Sequence, residues 1–374
     1  MGALLTGIRV VSLAEQYPGP YATLLLGDLG ADVIQVERPG SGDPARQFPE
    51  FYAAINRGKR SVCLDLKLED GKLALRELIK TADILLEGFR PGTMQRLGFG
   101  PEDVARINPR IVYISISGFG QTGPYRDRPA HDISYQAIAG LMFRDARAGR
   151  TSGGGELAIG DLSSGMFAAL AGLAGIVSRA TTGKGTYIDV SMTDGLVSWM
   201  SVFLSPVLNG ARPDEIGDEP AYGSFACADG KLLSLSIAHE DWFWQPFCRT
   251  VGLEAYAAYA RPQRVAENRH LASLIAERLA SRTRAEWGEA FDRAGIPWSP
   301  VNDLEEVVRD PHFTERGMFT SITEDDGSER RYVAQPLIVE GRHPGPSRGV
   351  PPLGAHTNEV LESLFASKPI SGRS

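Results

Sequence analysis

Cysteine is scarce in this sequence: three occur in 374 residues, Cys63, Cys227 and Cys248, with no CxxC pair. That is too few for a disulfide framework and fits a reducing compartment, which points to the cytoplasm. An excess of positive charge is also missing. The 39 basic side chains are outnumbered by 46 acidic ones, for a net charge of −7. Nucleic acid is therefore not expected as a partner, because duplex binding rests on phosphate neutralisation. A local basic cleft for a small polyanion stays open. The longest apolar run, Met166 to Val177, is twelve residues, against the roughly 18 needed to span a bilayer, so no membrane partner is expected. The start, MGALLTGIRVVSLAEQ, lacks the basic segment, long apolar core and cleavage site of a secretory signal. The six histidines, His131, His239, His270, His312, His343 and His356, never fall at HxH or HxxxH spacing, so no metal site is expected.

What is present is a globular composition, 43% apolar and 23% charged, with 42 Gly and 24 Pro. At about 100–200 residues per domain, this length makes two or three domains, and the composition excludes disordered and collagen-like chains. Apolar β-branched runs at 8–13, 31–37, 82–89, 111–119 and 183–192 read as strands. Amphipathic stretches at 20–30, 68–81 and 101–108 read as helices. This βαβ rhythm predicts an α/β fold, a Rossmann-like parallel sheet in a large domain over 1–205. SSGMFAALAGLAGIVSR (163–179) reads as a helix whose small residues bring its backbone close to another element. The Gly/Pro/Asp-rich stretch 206–222 reads as a linker. A smaller α+β domain over 223–325 follows, with a hairpin turning at Asp229-Gly230 and helices over 241–251, 264–281 and 284–294. A terminal helix is expected over 356–367.

Two motifs fail on context. GFGQTG (118–123) satisfies G-x-G-x-x-G after a strand, but Pro124, Pro129 and the polar residues between them keep a helix from opening there, as a dinucleotide site requires. GPSRG (345–349) has flanking prolines and no preceding strand, so Ser347 is not expected to be a nucleophile. The pair His131-Asp132 carries more weight, because it begins a segment, HDISYQAIAGL, directly after the glycine loop. Asp161 stands immediately before the Ala-rich helix. Asp161 and Asp132 each have a plain reading as helix caps. An anionic carboxylate beside a glycine loop is equally a usable base or nucleophile.

A set of long colinear segments decides what the motifs leave open. PGPYATLLLGDLGADVIQVERPGSGD (18–43), NRGKRSVCLDLK (56–67), ADILLEGFRPGTMQRLGFG (82–100), SGFGQTGPY (117–125), AHDISYQAIAGL (130–141), GDLSSGM (160–166), TTGKGTYIDVSMTDG (181–195), DPHFTERGMF (310–319) and PPLGAHTNEVL (351–361) resemble the family III CoA-transferases and the related α-methylacyl-CoA racemases. The resemblance implies an interlocked homodimer of two-domain chains, with residues 326–374 returning to the large domain. It implies an acyl-CoA substrate, coenzyme A entering as part of that substrate, and no permanently bound cofactor.

For chemistry, the resemblance centres on Asp161, which matches the family's catalytic aspartate. In the transferases this carboxylate attacks the acyl thioester to form a mixed anhydride. In the racemases it works with a histidine, here His131, on opposite faces of the thioester α-carbon. An α-proton next to a thioester is weakly acidic, so the rate depends on stabilising the enolate oxygen, where one backbone N–H is worth roughly 3–4 kcal/mol. Epimerisation needs two proton carriers, and His with Asp supplies them near neutral pH. Transfer needs only the carboxylate, so His131 discriminates. The PGP at 18–20 resembles the racemases, whereas Gln136-Ala137 resembles the transferases. The weight falls on epimerisation of a 2-methylacyl-CoA, with CoA transfer as the alternative. Glu240, in AHEDWF, resembles a racemase glutamate that supports the histidine, although an acidic residue opening a helix is more often an ordinary first-turn carboxylate. For the phosphates and pantetheine of CoA the resemblance implies Arg38, Lys67, Gly88, Phe89, Arg90 and Arg96, with Asp132 and Tyr135 beside them. Lys59 and Arg60 are further candidates.

Overall fold

The computed structural model describes residues 3–143, 157–213, 219–324, 326–345 and 348–366. It divides into two compact units, Met1–Ser201 with Glu315–Ser374, and Val202–Thr314. The first is built on six strands: β1 (Arg9–Ser12), β2 (Asp32–Glu37), β3 (Arg60–Cys63), β4 (Ile84–Glu87), β5 (Val112–Ser117) and β6 (Thr186–Ser191). All pair in parallel in the order β3-β2-β1-β4-β5-β6, the Rossmann order. Among the described residues before Ser201, the α-helices that accompany them are α1 (Pro18–Asp28), α2 (Pro49–Asn56), α3 (Glu69–Thr81), α4 (Thr93–Leu97), α5 (Pro101–Ile107), α6 (Asp132–Ile138), α7 (Ile159–Thr182) and α8 (Met192–Trp199).

Strands β4 and β5 are buried along their whole length, as a parallel sheet covered on both faces requires. Successive side chains point to opposite faces. Val10, Ile84 and Val112 therefore join Leu26 of α1 and Ala168 of α7 in one core. Val11, Leu85 and Tyr113 join Leu75 and Leu78 of α3 and Val104 of α5 in the other. The α/β sheet expected from the sequence is thus present. Strand β3 was not anticipated, because RSVC is short and half polar. It forms by pairing with β2 and by contact with the distant C-terminal segment, where Cys63 N–H donates to Thr357 Oγ1 at 3.0 Å and His356 N–H to Ser61 O at 3.0 Å.

Helix α7 begins at Ile159, four residues before the expected start, and ends on Gly183 in the left-handed conformation. Among the described residues it is the helix long and apolar enough, by length and composition alone, to cross a membrane, which the twelve-residue apolar run did not disclose. Two of its glycines lie against the sheet. A Cβ on Gly172 would stand 3.1 Å from Ile84 Cδ1, and one on Gly175 2.5 Å from Val112 Cγ1. The crowding of Ala and Gly in the sequence is what permits this approach.

The second unit holds an antiparallel sheet, β7 (Tyr222–Ala226), β8 (Leu232–Ser236) and β9 (Trp298–Pro300). The hairpin turns where Asp229-Gly230 predicted, with Gly230 at φ +74. Trp244, Phe247, Leu271, Ile275, Trp287 and Phe291 make its core. The single helix expected over 264–281 is two, Arg261–Ala266 and Asn268–Leu279. The stretch read as a linker begins inside a helix, Ser201–Leu208, and part of it, 214–218, lies outside the described residues. In the C-terminal part of the first unit, β10 (Phe319–Thr323) and β11 (Glu329–Val333) form an unanticipated hairpin. The terminal helix spans Thr357–Phe365 and adds Val360 to the core beside α3.

Gly175→Ala sets two effects against each other. The new methyl group gains about 1 kcal/mol of helix propensity but meets a β-branched side chain of a central strand, and such overpacking costs about 1–3 kcal/mol. The balance is a lowered melting temperature in thermal denaturation. A melting temperature at or above that of the parent would show that α7 can lift from the sheet.

Candidate active site

The strand order reverses between β1 and β4, and the crevice at their carboxyl ends is where ligands bind in such sheets. Two loops flank it. After β1, Leu13 to Tyr17 lead into α1, whose Gly19 is pressed so closely on Ala14 that a Cβ would lie 2.0 Å from the alanine methyl. After β4, Gly88 to Arg90 form the other rim. Glu87 holds this rim from below, its Oε2 accepting the Phe89 N–H at 2.8 Å. Burial pushes the Glu87 carboxyl up to about 7.

Asp161 lies in the first turn of α7 and Asp132 is the first residue of α6. Neither is the cap that the plain reading assigned. The N-cap positions are held by Ala158 and His131, and neither makes a capping side-chain bond. The two acids instead meet each other: Asp161 N–H donates to Asp132 Oδ1 at 3.0 Å, while Asp132 Oδ2 accepts from Gln136 Nε2. Gly160 makes room, since a Cβ there would come within 2.8 Å of Asp132 Oδ1. Burial, and then the Asp132 charge, push the Asp161 carboxyl up to about 7. Tyr135 closes the floor, its Oη donating to Ala130 O at 3.0 Å and its ring lying edge-on to Phe119. Its phenol is pushed up to about 12, by burial first and then by Asp161 and Asp132.

His131 stands next to this cluster in sequence but is exposed. Among the described residues its ring makes no hydrogen bond or ion pair, and it is not among the groups that shift Asp161. Glu240 belongs to the second unit. It is the N-cap residue of the helix Asp241–Val251, with Oε2 accepting the Ala238 N–H at 2.9 Å, a bond that holds its carboxyl below the usual range. The glycine loop 118–123 remains a loop, and no helix opens before Asp132. Ser347 lies outside the described residues.

The remaining predicted side chains line two cavities that share Phe89. One, of about 370 Å³, is bordered by Gly88, Arg90, Arg96 and Tyr135, together with Arg126 and Arg128. The second, of about 470 Å³, is bordered by Arg38, Lys67, Glu15 and Thr93. Arg126 and Arg128 were missed, although RDR after the glycine loop is a legible basic signal. Arg38 is already engaged: its Nη2 donates to both oxygens of Glu15, at 2.8 and 2.7 Å. Lys59 and Arg60 do not line the cleft. Lys59 is buried, with Nζ donating to Pro20 O and Asn56 Oδ1, and burial pushes its ammonium down to about 7. Arg60 starts β3 and pairs with Asp32 at the start of β2, at the amino ends of the strands and so opposite the crevice. Among the described residues no group of three His, Cys, Asp or Glu could hold a metal ion. Tyr17 was also missed. Its phenol is pushed up by burial, then by Tyr21, Asp161 and Asp132, and nothing in the PGP pattern beside it marks it.

Residues 5–357 match the model of CoA-transferase family III. The α-methylacyl-CoA racemase of Homo sapiens is 34% identical over 97% of this chain and 94% of its own length. The acetyl-CoA:oxalate CoA-transferase of Acetobacter aceti is also 34% identical, over 83% and 84%. The crystal structure of a CAIB/BAIF family protein from Brucella suis superposes with a TM-score of 0.86 at 28% identity, over 97% of this chain and all of that one. These matches run nearly end to end and bear out the resemblance carried by the motifs: the chain belongs to CoA-transferase family III.

Proposed function

We propose that this chain epimerises 2-methylacyl-CoA thioesters by 1,1-proton transfer. The observation that carries the reading is the Asp161 carboxyl, partly buried beside a second acid and brought to about 7. A base poised near neutral pH is suited to removing a weakly acidic carbon-bound proton. Asp161 takes the α-proton, the C–H electron pair moves into the thioester carbonyl to give an enolate, and return of a proton to the opposite face re-forms the C–H bond inverted. His131 is assigned to that second face. Arg90, Arg96, Arg126 and Arg128 are assigned to the phosphates of CoA, whose charge calls for guanidinium donors, and Arg38 and Lys67 to the neighbouring cavity. Exposed apolar side chains on α7, Leu170 and Val177, support burial of this face by a second copy of the chain in a homodimer. The three free thiols fit the cytoplasm.

A second reading, CoA transfer to a carboxylic acid through an aspartyl anhydride, is favoured by one observation: His131 is exposed and apart from the groups that tune Asp161. Transfer asks only for the carboxylate.

One epimer of a 2-methylacyl-CoA incubated in D₂O separates the readings. Epimerisation predicts α-deuteration that is lost in both Asp161→Asn and His131→Ala. Acyl exchange with an added acid that survives His131→Ala supports transfer instead, and undiminished activity in Asp161→Asn defeats both.

The pH dependence follows from the same carboxyl. For epimerisation, kcat/KM rises as pH increases through about 7 and Asp161 ionises. Stability runs the other way. Between the ordinary value of 3.8 and about 7 the folded chain keeps a proton that the unfolded chain has released, so stability falls as pH rises through that window. Asp161→Asn therefore raises the melting temperature relative to the parent more at about pH 8 than at about pH 4. An equal effect at both would place this carboxyl in an unperturbed environment.

A further inference from the structure

The turn after β1 contains a backbone conformation that residues with side chains seldom adopt. Gln16 has φ +67, which glycine would accept without steric cost. Asp43 holds it there. The Gln16 N–H donates to Asp43 Oδ1 at 3.0 Å and Oδ2 at 3.1 Å. Asp43 is fully buried and is itself fixed. Its N–H donates to Glu37 Oε2 at 3.0 Å, and its Oδ1 accepts the Ala45 N–H at 2.8 Å. Glu37 in turn is held by Arg46, with Nε and Nη2 each donating at 2.7 Å. Lys59 anchors the other end of the turn through Pro20 O. Two buried charged groups thus pin residues 16 to 20.

What the turn aims is Tyr17. Its ring packs edge-on against Phe51, with centroids 4.9 Å apart, and lies 6.4 Å from Tyr21. Helices α1 and α7 run side by side in the same direction. A Cβ on Gly165 would lie 2.7 Å from Pro18 O and 2.9 Å from Tyr21 Cδ1, and one on Gly172 would lie 3.8 Å from Leu26 Cδ1. Asp161 precedes Gly165 by one turn on the same face of α7, which brings it level with Tyr17. The charges that act on Tyr17 include those of Asp161 and Asp132.

We propose that Asp43 is a positioning residue: its buried carboxylate locks the left-handed turn at Gln16 and so holds the Tyr17 and Phe51 rings as the wall for an apolar acyl group beside Asp161. The proposal rests on the reading of Asp161 as the group that acts on an acyl-CoA. Without the lock, Gln16 relaxes toward negative φ and the chain direction at Tyr17 changes. A glycine at 16 keeps the turn accessible without the lock.

The test compares the parent, Asp43→Asn, Gln16→Gly and the double variant. Asp43→Asn replaces one acceptor facing the Gln16 N–H by a donor and keeps the volume of the buried side chain. Two quantities are measured: hydrogen exchange of the Gln16 amide, and kcat/KM for α-deuteration of acetyl-CoA and of a long-chain 2-methylacyl-CoA. Asp43→Asn is expected to speed exchange at Gln16. It should lower kcat/KM at least about tenfold for the long-chain thioester and under about threefold for acetyl-CoA, since misplacement of a positioning group has effects of this order. Gln16→Gly in that background recovers most of the loss. Unchanged amide exchange overturns the lock, and an equal loss with both thioesters overturns the wall. Faster exchange in the variant, with a parent that deuterates neither thioester and exchanges no acyl group with an added acid, overturns the acyl-CoA reading while leaving the lock intact. If Asp43→Asn fails to fold, Tyr17→Ala takes its place for the acyl-length comparison, with the same outcome overturning the wall.

Discussion

A single hydrogen bond, from the backbone N–H of Asp161 to the side-chain carboxylate of Asp132, ties the segment leaving the glycine loop to the first turn of α7. Everything chemical in the site follows from that joint. It spends the donor of one acid on the other, brings two carboxylates into one partly buried space, and exists because residue 160 has no Cβ. Two negative charges in low dielectric resist each other's ionisation, so Asp161, desolvated and beside Asp132, keeps its proton to near neutrality. The helix N-terminus opposes this, and the net upward displacement means that desolvation and the neighbouring charge outweigh it.

The distribution of cations around the site has the same logic. Guanidinium groups gather in the cavity beside Gly88 and Phe89, where a polyanion can replace water around them. None of them is among the groups that tune Asp161. This separation means that a polyanion held by those guanidinium groups would leave the raised proton affinity of the Asp161 carboxyl in place. The buried ammonium of Lys59 serves the frame instead: it satisfies a carbonyl at the start of α1, which a surface lysine would leave to water.

Much of this arrangement was legible in the residues. Apolar β-branched runs marked β1, β2, β4, β5 and β6, and Asp229-Gly230 marked a hairpin, because both signals are local. Strand β3 was not legible, since RSVC has no apolar run and is stabilised by residues almost 300 positions away. The same holds for the caps. Asp before a helical pattern is ordinarily an N-cap, yet tertiary contact between α6 and α7 turned Asp132 and Asp161 toward each other. Lys59 and Arg60, adjacent in sequence to motif residues, were drawn away from the cleft by partners at Pro20 and Asp32 that no spacing rule reveals.

The sequence by itself determined the parallel sheet, the close-packed glycine helix, the family, and the segments that border the crevice, because composition, periodicity and colinear motifs act over short range. Only the tertiary structure decided which side chains share a dielectric environment. The proton affinity of Asp161, the pairing of Arg38 with Glu15, the burial of Lys59 and the aim of Tyr17 depend on distances between segments far apart in the chain. Those distances are set by how β1 and β2 pair and by how α1, α6 and α7 pack on one another.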